Sequence, residues 1–385
     1  MMLAENFGGF CPVEIHWTTK KEMMERLCGY EEGSRTVLLL DQELAAVLGL
    51  EPMIKAMRER YAFTWLNTIS ANPTQQDILE AFEQIGLGRP DRLISVGGGS
   101  AMDLSKAICA LYRDYEDGGL TVPKITDIIC EKSYCGRKPG ISLITVATTA
   151  GTGSELTKWA TIWDVNKMQK YSIDDSTLYA AETFVTPELL YHSPNRLVLS
   201  TGLDAFAQAL ESFWAKTATP VSRSVAVKAM EMIVKNLKPA LGSESSEREN
   251  ARNHMSLGAV LAGIAFSNTR TTACHSISYP ITMGFGVEHG FACALTLNCV
   301  MKCNRMEVSE ISPLMKHLFG NEENGLEDWL AEVTEGIQDL RLSAFGIPKE
   351  AVAGLAERAF TAGRMSNNPI EFTKNQVEQI LLEVY

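Results

Sequence analysis

Two rhythms of apolar residues divide the chain. In the first half they form short runs: TVLLLD at 36–41, AFTWLNT at 62–68, DRLISVGGGS at 91–100 and GISLITVATT at 140–149. Runs of this length, bounded by Gly or Asp, predict buried strands. Helical spacing fills the gaps, as in QDILEAFEQIG at 76–86. Strands alternating with helices predict a parallel sheet covered on both faces. From about residue 195 the rhythm changes. LSTGLDAFAQALESFWA, VSRSVAVKAMEMIVKNLKPAL and ARNHMSLGAVLAGIAF all repeat their apolar positions at three and four residues, and no strand series follows. That half predicts an all-helical bundle. The boundary falls near TPELLYHSPN at 186–195, giving domains 1–190 and 191–385. No Gly/Ser linker separates them, so close packing with a cleft is expected.

Composition narrows the class of protein. The 385 residues suit two domains, and 45% apolar content is enough for two cores. The net charge of −12 argues against a nucleic-acid partner, which needs clustered cations. No apolar run reaches the roughly 18–20 residues of a membrane span. The opening MMLAENFGGF lacks a basic segment and does not read as a signal peptide. Nine cysteines occur without a CxxC pair, and Cys130/Cys135 and Cys299/Cys303 do not have zinc-clip spacing. They are expected to be free thiols of a reducing cytoplasm.

Two Gly-rich turns carry the first candidate chemistry. In VGGGSAMDLSK, Gly97, Gly98 and Gly99 follow a predicted strand and Ser100 opens a helix, with Asp103 expected in its first turn. Backbone without Cβ atoms at a helix N-terminus suits a phosphate. A tight structural turn would use the same glycines. TTAGTGSE at 148–155 follows the next strand. Two such loops after neighbouring parallel strands would sit at the carboxyl edge, where open α/β sheets bind nucleotides. Asp41 ends an earlier run; it reads equally as a ribose-binding acid or a solvated strand end.

The helical half holds a second cluster. Asp204 and Gln208 are four residues apart on one helix face, as are His275 and Tyr279, and His289 follows in GVEHG. Of six histidines in the chain, these two lie close together. An Asp, two His and an amide oxygen make a plausible divalent-metal shell. Satisfied core histidines remain the alternative from spacing alone.

GGGSAMDLSKAI, TTAGTGSELT, GLDAFAQALES and HSISYPITMGFGVEHG together resemble the iron-containing alcohol dehydrogenase family across nearly the whole chain. The resemblance implies an N-terminal Rossmann-like α/β nucleotide domain and an all-α C-terminal domain, the fold shared with dehydroquinate synthase, and a homodimer. It implies metal positions Asp204, Gln208, His275 and His289. It implies cofactor contacts at Gly97, Gly98, Gly99, Ser100, Asp103, Thr148, Thr149, Thr152 and Lys170, with Asp41 favouring NAD(H) over NADP(H). The metal would be Fe²⁺ or Zn²⁺. The chain departs from the family pattern twice. Gln208 stands where His is usual, and Tyr279 where a proton-relaying His is frequent.

One branch is more similar still: NTRTTACHSISYPIT, GVEHG and GRMSNNP resemble the phosphonoacetaldehyde reductases. That implies reduction of phosphonoacetaldehyde to 2-hydroxyethylphosphonate. A phosphonate calls for arginine forks. Arg270, Arg364 and Lys158 are the candidate cations, with Tyr279 and Asp103 as candidate catalytic residues. A dehydrogenase for small neutral alcohols, an inert nucleotide-binding homologue and a lyase of the dehydroquinate synthase type are the competing readings.

Overall fold

The computed structural model describes residues 10–385 apart from 165, 166, 168, 361 and 362. Its packing divides the chain into two units. One comprises the residues up to Thr149 with Ser154–Leu190, the other Ala150–Gly153 with Tyr191–Tyr385.

The first unit is an open parallel sheet with helices. In chain order its elements are β1 (Glu14–Trp17), α1 (Lys20–Leu27), β2 (Arg35–Leu39), α2 (Gln42–Leu48), α3 (Glu51–Arg60), β3 (Ala62–Leu66), α4 (Gln75–Ile85), β4 (Arg92–Gly97), α5 (Gly99–Glu116), α6 (Val122–Glu131) and β5 (Ser142–Ala147). The hairpin β6 (Trp159–Asp164) and β7 (Gln169–Asp174) follows, then β8 (Glu182–Val185). Six strands pair in parallel in the order β1-β8-β5-β4-β2-β3. Val37, Leu38 and Leu39, Leu93 and Ile94, and Ile144 and Val146 are fully or almost fully buried. Strands buried on both faces need such continuous apolar runs. From β2 the chain adds β3 on one side, and β4 then pairs on the other. The order therefore reverses between β2 and β4, which opens a crevice at their carboxyl ends.

The four apolar runs are strands β2 to β5, each shorter than its run. β2 stops at Leu39, and Asp41 caps α2 instead of ending the strand. β1 and β8 are four residues each, too short for a run to stand out. The β6–β7 hairpin is antiparallel and lies outside the main sheet. It too was not among the predicted strands.

The second unit has no strand among its described residues. Its helices are α7 (Asn195–Trp214), α8 (Pro220–Ala240), α9 (Ser245–Thr269), α10 (Ala273–Phe285), α11 (His289–Asn304), α12 (Ile311–Phe319), α13 (Gly325–Thr334), α14 (Val352–Arg358) and α15 (Lys374–Glu383). α7 is buried on every side from Gly202 to Trp214, packed by α8, α9 and α11. A helix so enclosed normally carries only apolar side chains. This one carries Asp204, Gln208, Glu211 and Ser212, each needing a partner inside the protein. α8 starts cleanly, with Pro220 at its first position and a reciprocal cap between Thr219 and Ser222.

Candidate functional site

In the first unit, Gly97 ends β4 and α5 begins at Gly99. A Cβ on Gly97 would stand 2.6 Å from Ala101 Cβ, so the sharp strand-to-helix turn excludes any side chain there. Ser100 lies in the first turn of α5, and its Oγ accepts a hydrogen bond from the Asn72 amide at 3.2 Å. The beginning of α5 thus presents backbone amides at the carboxyl edge of the sheet, beside Thr148 at the end of β5.

Asp103 differs from its expected place. Because α5 starts at Gly99, Asp103 lies in the second turn. Its carboxylate accepts from Ser154 Oγ at 2.9 Å and from the Thr161 amide at 2.9 Å, tying α5 to the hairpin. Asp41 caps α2, its Oδ1 accepting from the amides of Glu43 and Leu44. Lys170 lies on β7 opposite Trp163. Lys158 pairs with Asp174 at 3.6 Å. Thr149 belongs to the first unit and Thr152 to the second, where the Thr152 carbonyl accepts from Gln208 Nε2 at 3.3 Å.

The second unit gathers three of the four expected metal positions, Asp204, His275 and His289, into one cluster with a fourth residue, Cys293. Asp204, His275, His289 and Cys293 bring one ligand atom each to within 4.8 Å of one another. His275 Nε2 stands 3.3 Å and His289 Nε2 4.0 Å from Asp204 Oδ1. The fit to a divalent metal rests on how these rings are held. Glu211 Oε2 bonds His275 Nδ1. Ser278 Oγ donates to the His275 carbonyl and so is free to accept from His289 Nδ1 at 3.4 Å. Both rings then turn Nε2 toward Asp204, the arrangement in which metal-binding imidazoles are held. Gln208 Oε1 is buried without a hydrogen-bond partner, an orphan that a cation would satisfy. Burial alone would raise the Asp204 carboxyl, but its bond to His275 and the charge of His289 hold it below the ordinary carboxylate range.

Glu211 does a second job. Its Oε1 accepts from the Thr272 amide at 3.1 Å, the Thr272 hydroxyl at 2.7 Å and the Cys274 amide at 2.8 Å. A side chain on α7 therefore caps the start of α10, where Thr272 makes no cap of its own. The start of α11 is fixed by contact: a Cβ on Gly290 would fall 1.7 Å from the Ser200 carbonyl oxygen of α7. Only glycine lets His289 come this close to α7.

A chain of contacts leads outward from the cluster. The Tyr279 ring stacks on His289 with centroids 5.7 Å apart, and the Arg364 guanidinium lies 5.4 Å over the Tyr279 ring. Arg364 Nη1 also donates to Thr271 Oγ1 at 2.6 Å. Arg270 is exposed and has φ 62° and ψ 174°, a region in which residues other than glycine are strained. Its Nη1 lies against Gly363, the neighbour of Arg364. Burial pushes the Tyr279 hydroxyl above its ordinary range, against the pull of Arg364 and His275.

Sequence reasoning did not pick out Glu211, Cys293 or Lys106. Glu211 had a signal, since it shares the face of Asp204 and Gln208 at i+7 and i+3. Cys293 follows His289 by one turn, but a cysteine in an apolar helix reads as core. Lys106 is fully buried and donates to Ser154, Thr157 and Trp159, holding the turn after TTAGTGSE.

The family model described as iron-containing alcohol dehydrogenase matches residues 16–187, and that of the Fe-containing alcohol dehydrogenase family C-terminal region matches 198–385. An NAD-dependent methanol dehydrogenase from Bacillus methanolicus is 30% identical over 320 residues, 80% of this chain and 81% of the relative. A phosphonoacetaldehyde reductase from Streptomyces viridochromogenes is 32% identical over 238 residues, 60% of this chain and 58% of the relative. The crystal structure of a sulfoacetaldehyde reductase from Bifidobacterium kashiwanohense with NAD⁺ aligns at TM-score 0.83 and 25% identity, covering 97% of each chain.

Proposed function

Because the chain belongs to the iron-containing alcohol dehydrogenase family, whose chemistry is NAD-dependent oxidoreduction of an alcohol/aldehyde pair, we propose that it reduces phosphonoacetaldehyde to 2-hydroxyethylphosphonate with NADH. The observation that carries this reading is the contact chain from Arg364 through Tyr279 to His289, with the Arg270 guanidinium beside it. It sets cations suited to a phosphonate next to the ligands suited to a metal. Two of the similar proteins support it: a phosphonoacetaldehyde reductase and a sulfoacetaldehyde reductase act on two-carbon aldehydes with an anionic head.

When bound at Asp204, Gln208, His275 and His289, Fe²⁺ or Zn²⁺ supplies a Lewis acid for the carbonyl, and NADH supplies the hydride. The residues of the chain do the rest. Arg270 and Arg364 hold the phosphonate through charge-assisted bonds and thereby fix the aldehyde carbon. Thr271 steadies the Arg364 fork. Tyr279, whose hydroxyl burial keeps protonated at neutral pH, donates the proton that the product oxygen needs. Gly97, Gly98, Gly99 and Ser100, with Thr148 and Thr149 of the same unit, would receive the cofactor phosphates, and Lys170 would approach a ribose. The Asp41 carboxylate favours NAD(H) by repelling a 2′-phosphate. Asp103 acts here through position, as a strut between α5 and the hairpin.

The test is NADH oxidation with phosphonoacetaldehyde beside acetaldehyde. The wild-type protein should prefer the phosphonate, and Arg364→Ala should raise its KM for the phosphonate at least about tenfold, the worth of one charged hydrogen bond, with little change for acetaldehyde. Equal losses on both aldehydes would discard the anion clamp and favour a dehydrogenase for small neutral alcohols.

A further inference from the structure

The ligand set carried over from the family has a weak member. Gln208 offers a neutral amide oxygen, a poorer donor to iron or zinc than the imidazole usual there. Cys293 stands where it can make up that loss. It lies one turn after His289 on α11, on the same helix face, and is completely buried. Its Sγ is 3.7 Å from His289 Nε2.

We propose that Cys293 is a protein ligand of the divalent metal, its thiolate joining Asp204, His275 and His289 at one centre. This rests on the reading of a metal at those three residues.

The distances agree with a shared centre. Bonds of about 2.3 Å to sulfur and about 2.0–2.1 Å to nitrogen or oxygen, at tetrahedral angles, put ligand atoms roughly 3.3–3.6 Å apart. The Cys293–His289 separation of 3.7 Å and the His275–Asp204 separation of 3.3 Å are close to those edges. Charge agrees as well. Asp204 and Cys293 would bring two negative charges to a divalent cation, so the buried centre carries no net charge from its ligands and ion together. Ordinary packing does not account for the thiol's surroundings. Cys109 and Cys274 are buried too, but neither joins the convergent ligand atoms found among the described residues. A thiolate also makes the centre softer than one built from nitrogen and oxygen alone, which shifts its preference toward zinc.

The experiment uses the full-length protein, stripped with a chelator and reloaded with Co²⁺ or Zn²⁺. Cobalt should give a near-ultraviolet thiolate-to-metal charge-transfer band, and X-ray absorption of the zinc form should fit one sulfur at about 2.3 Å. Cys293→Ser should lose both signals while retaining metal, whereas Gln208→Ala should keep the band. Metal bound stoichiometrically with a shell of nitrogen and oxygen only would overturn the proposal and leave the metal centre standing. Failure of the wild-type protein to bind either metal would overturn both. Should Cys293→Ser not fold, the wild-type zinc spectrum decides alone. NADH oxidation with phosphonoacetaldehyde is read separately, so loss of the substrate reading is distinguishable from loss of the sulfur ligand.

Discussion

Glu211 joins two tasks in one carboxylate, the cap of α10 and the orientation of His275. Burial acts to raise its carboxyl, but the charge of His275 and the bonds from Thr272 and Cys274 bring it below the ordinary range. Glu211→Gln keeps the shape and removes the charge. Metal affinity should fall about 10–100-fold, as is usual for a partner behind a ligand, measured by competition with a chelator. Unchanged affinity would assign Glu211 to capping alone. Asp41 allows a similar separation. Asn caps a helix as well as Asp, so Asp41→Asn should leave stability nearly unchanged while improving the use of NADPH. If NADPH use does not rise, the carboxylate is a cap and no more. Arg270 sits in a backbone region that glycine adopts without strain. Arg270→Gly should therefore stabilise the fold by about 1 kcal/mol, seen in urea unfolding, while weakening phosphonate binding. At this scale the sequence identified the residue types but not their partners. Asp204, His275 and His289 were legible because they are chemically conspicuous. Glu211 and Cys293 were not, because their roles consist of what other helices bring against them.

The elements were more legible than their ends. Strands β2, β4 and β5 were readable because each is an apolar run buried on both faces, the half-buried edge strand β3 because its run is still mostly apolar, and the long helices because one face repeats at helical spacing. β1 and β8 gave too few residues for either rhythm, and the hairpin strands, six residues each, mix polar and half-buried positions instead of forming an apolar run. Asp103 fell about one residue past the first turn of α5, where it was expected, because three successive glycines do not mark which one begins the helix. Just after the second Gly-rich turn, Glu155 is almost fully buried. Burial raises its carboxyl from 4.5 to about 7, against the pull of Lys106. The unfolded chain gives up this proton first, so the stability present below pH 4.5 declines as pH rises toward about 7. The loss from this one group should be on the order of 3 kcal/mol. Denaturant unfolding across that window should show a flatter profile for Glu155→Gln, and an identical slope would contradict the burial effect. Gly290 makes the matching test at α11. Gly290→Ala sets a methyl against the Ser200 carbonyl, so it should cost more than the roughly 1–3 kcal/mol of ordinary overpacking and should lower metal content as His289 is displaced.

For the whole molecule, the proposed metal ligands come from α7, α10 and α11, all in the helical unit. Metal should therefore stabilise that unit directly. At about a hundredfold excess over its dissociation constant the gain is about 2.7 kcal/mol. Calorimetry with and without a chelator should show it as a raised melting temperature, and hydrogen exchange should show the added protection in those three helices. Protection confined to the α/β unit would place the metal elsewhere. Among the described residues no helix is long and apolar enough to cross a membrane.

By itself the sequence determined the division into a parallel-sheet half and a helical half, since hydrophobic period is a local property that each segment carries alone. It also determined where the candidate phosphate-binding glycines and candidate metal ligands occur, since these depend on residue type. Only the tertiary structure decided the strand order that opens the crevice between β2 and β4, the burial of α7 on all sides, and the meeting of Cys293 with Asp204 and the two histidines. Those outcomes depend on which faces pack together across long separations in the chain, and no local pattern encodes that choice.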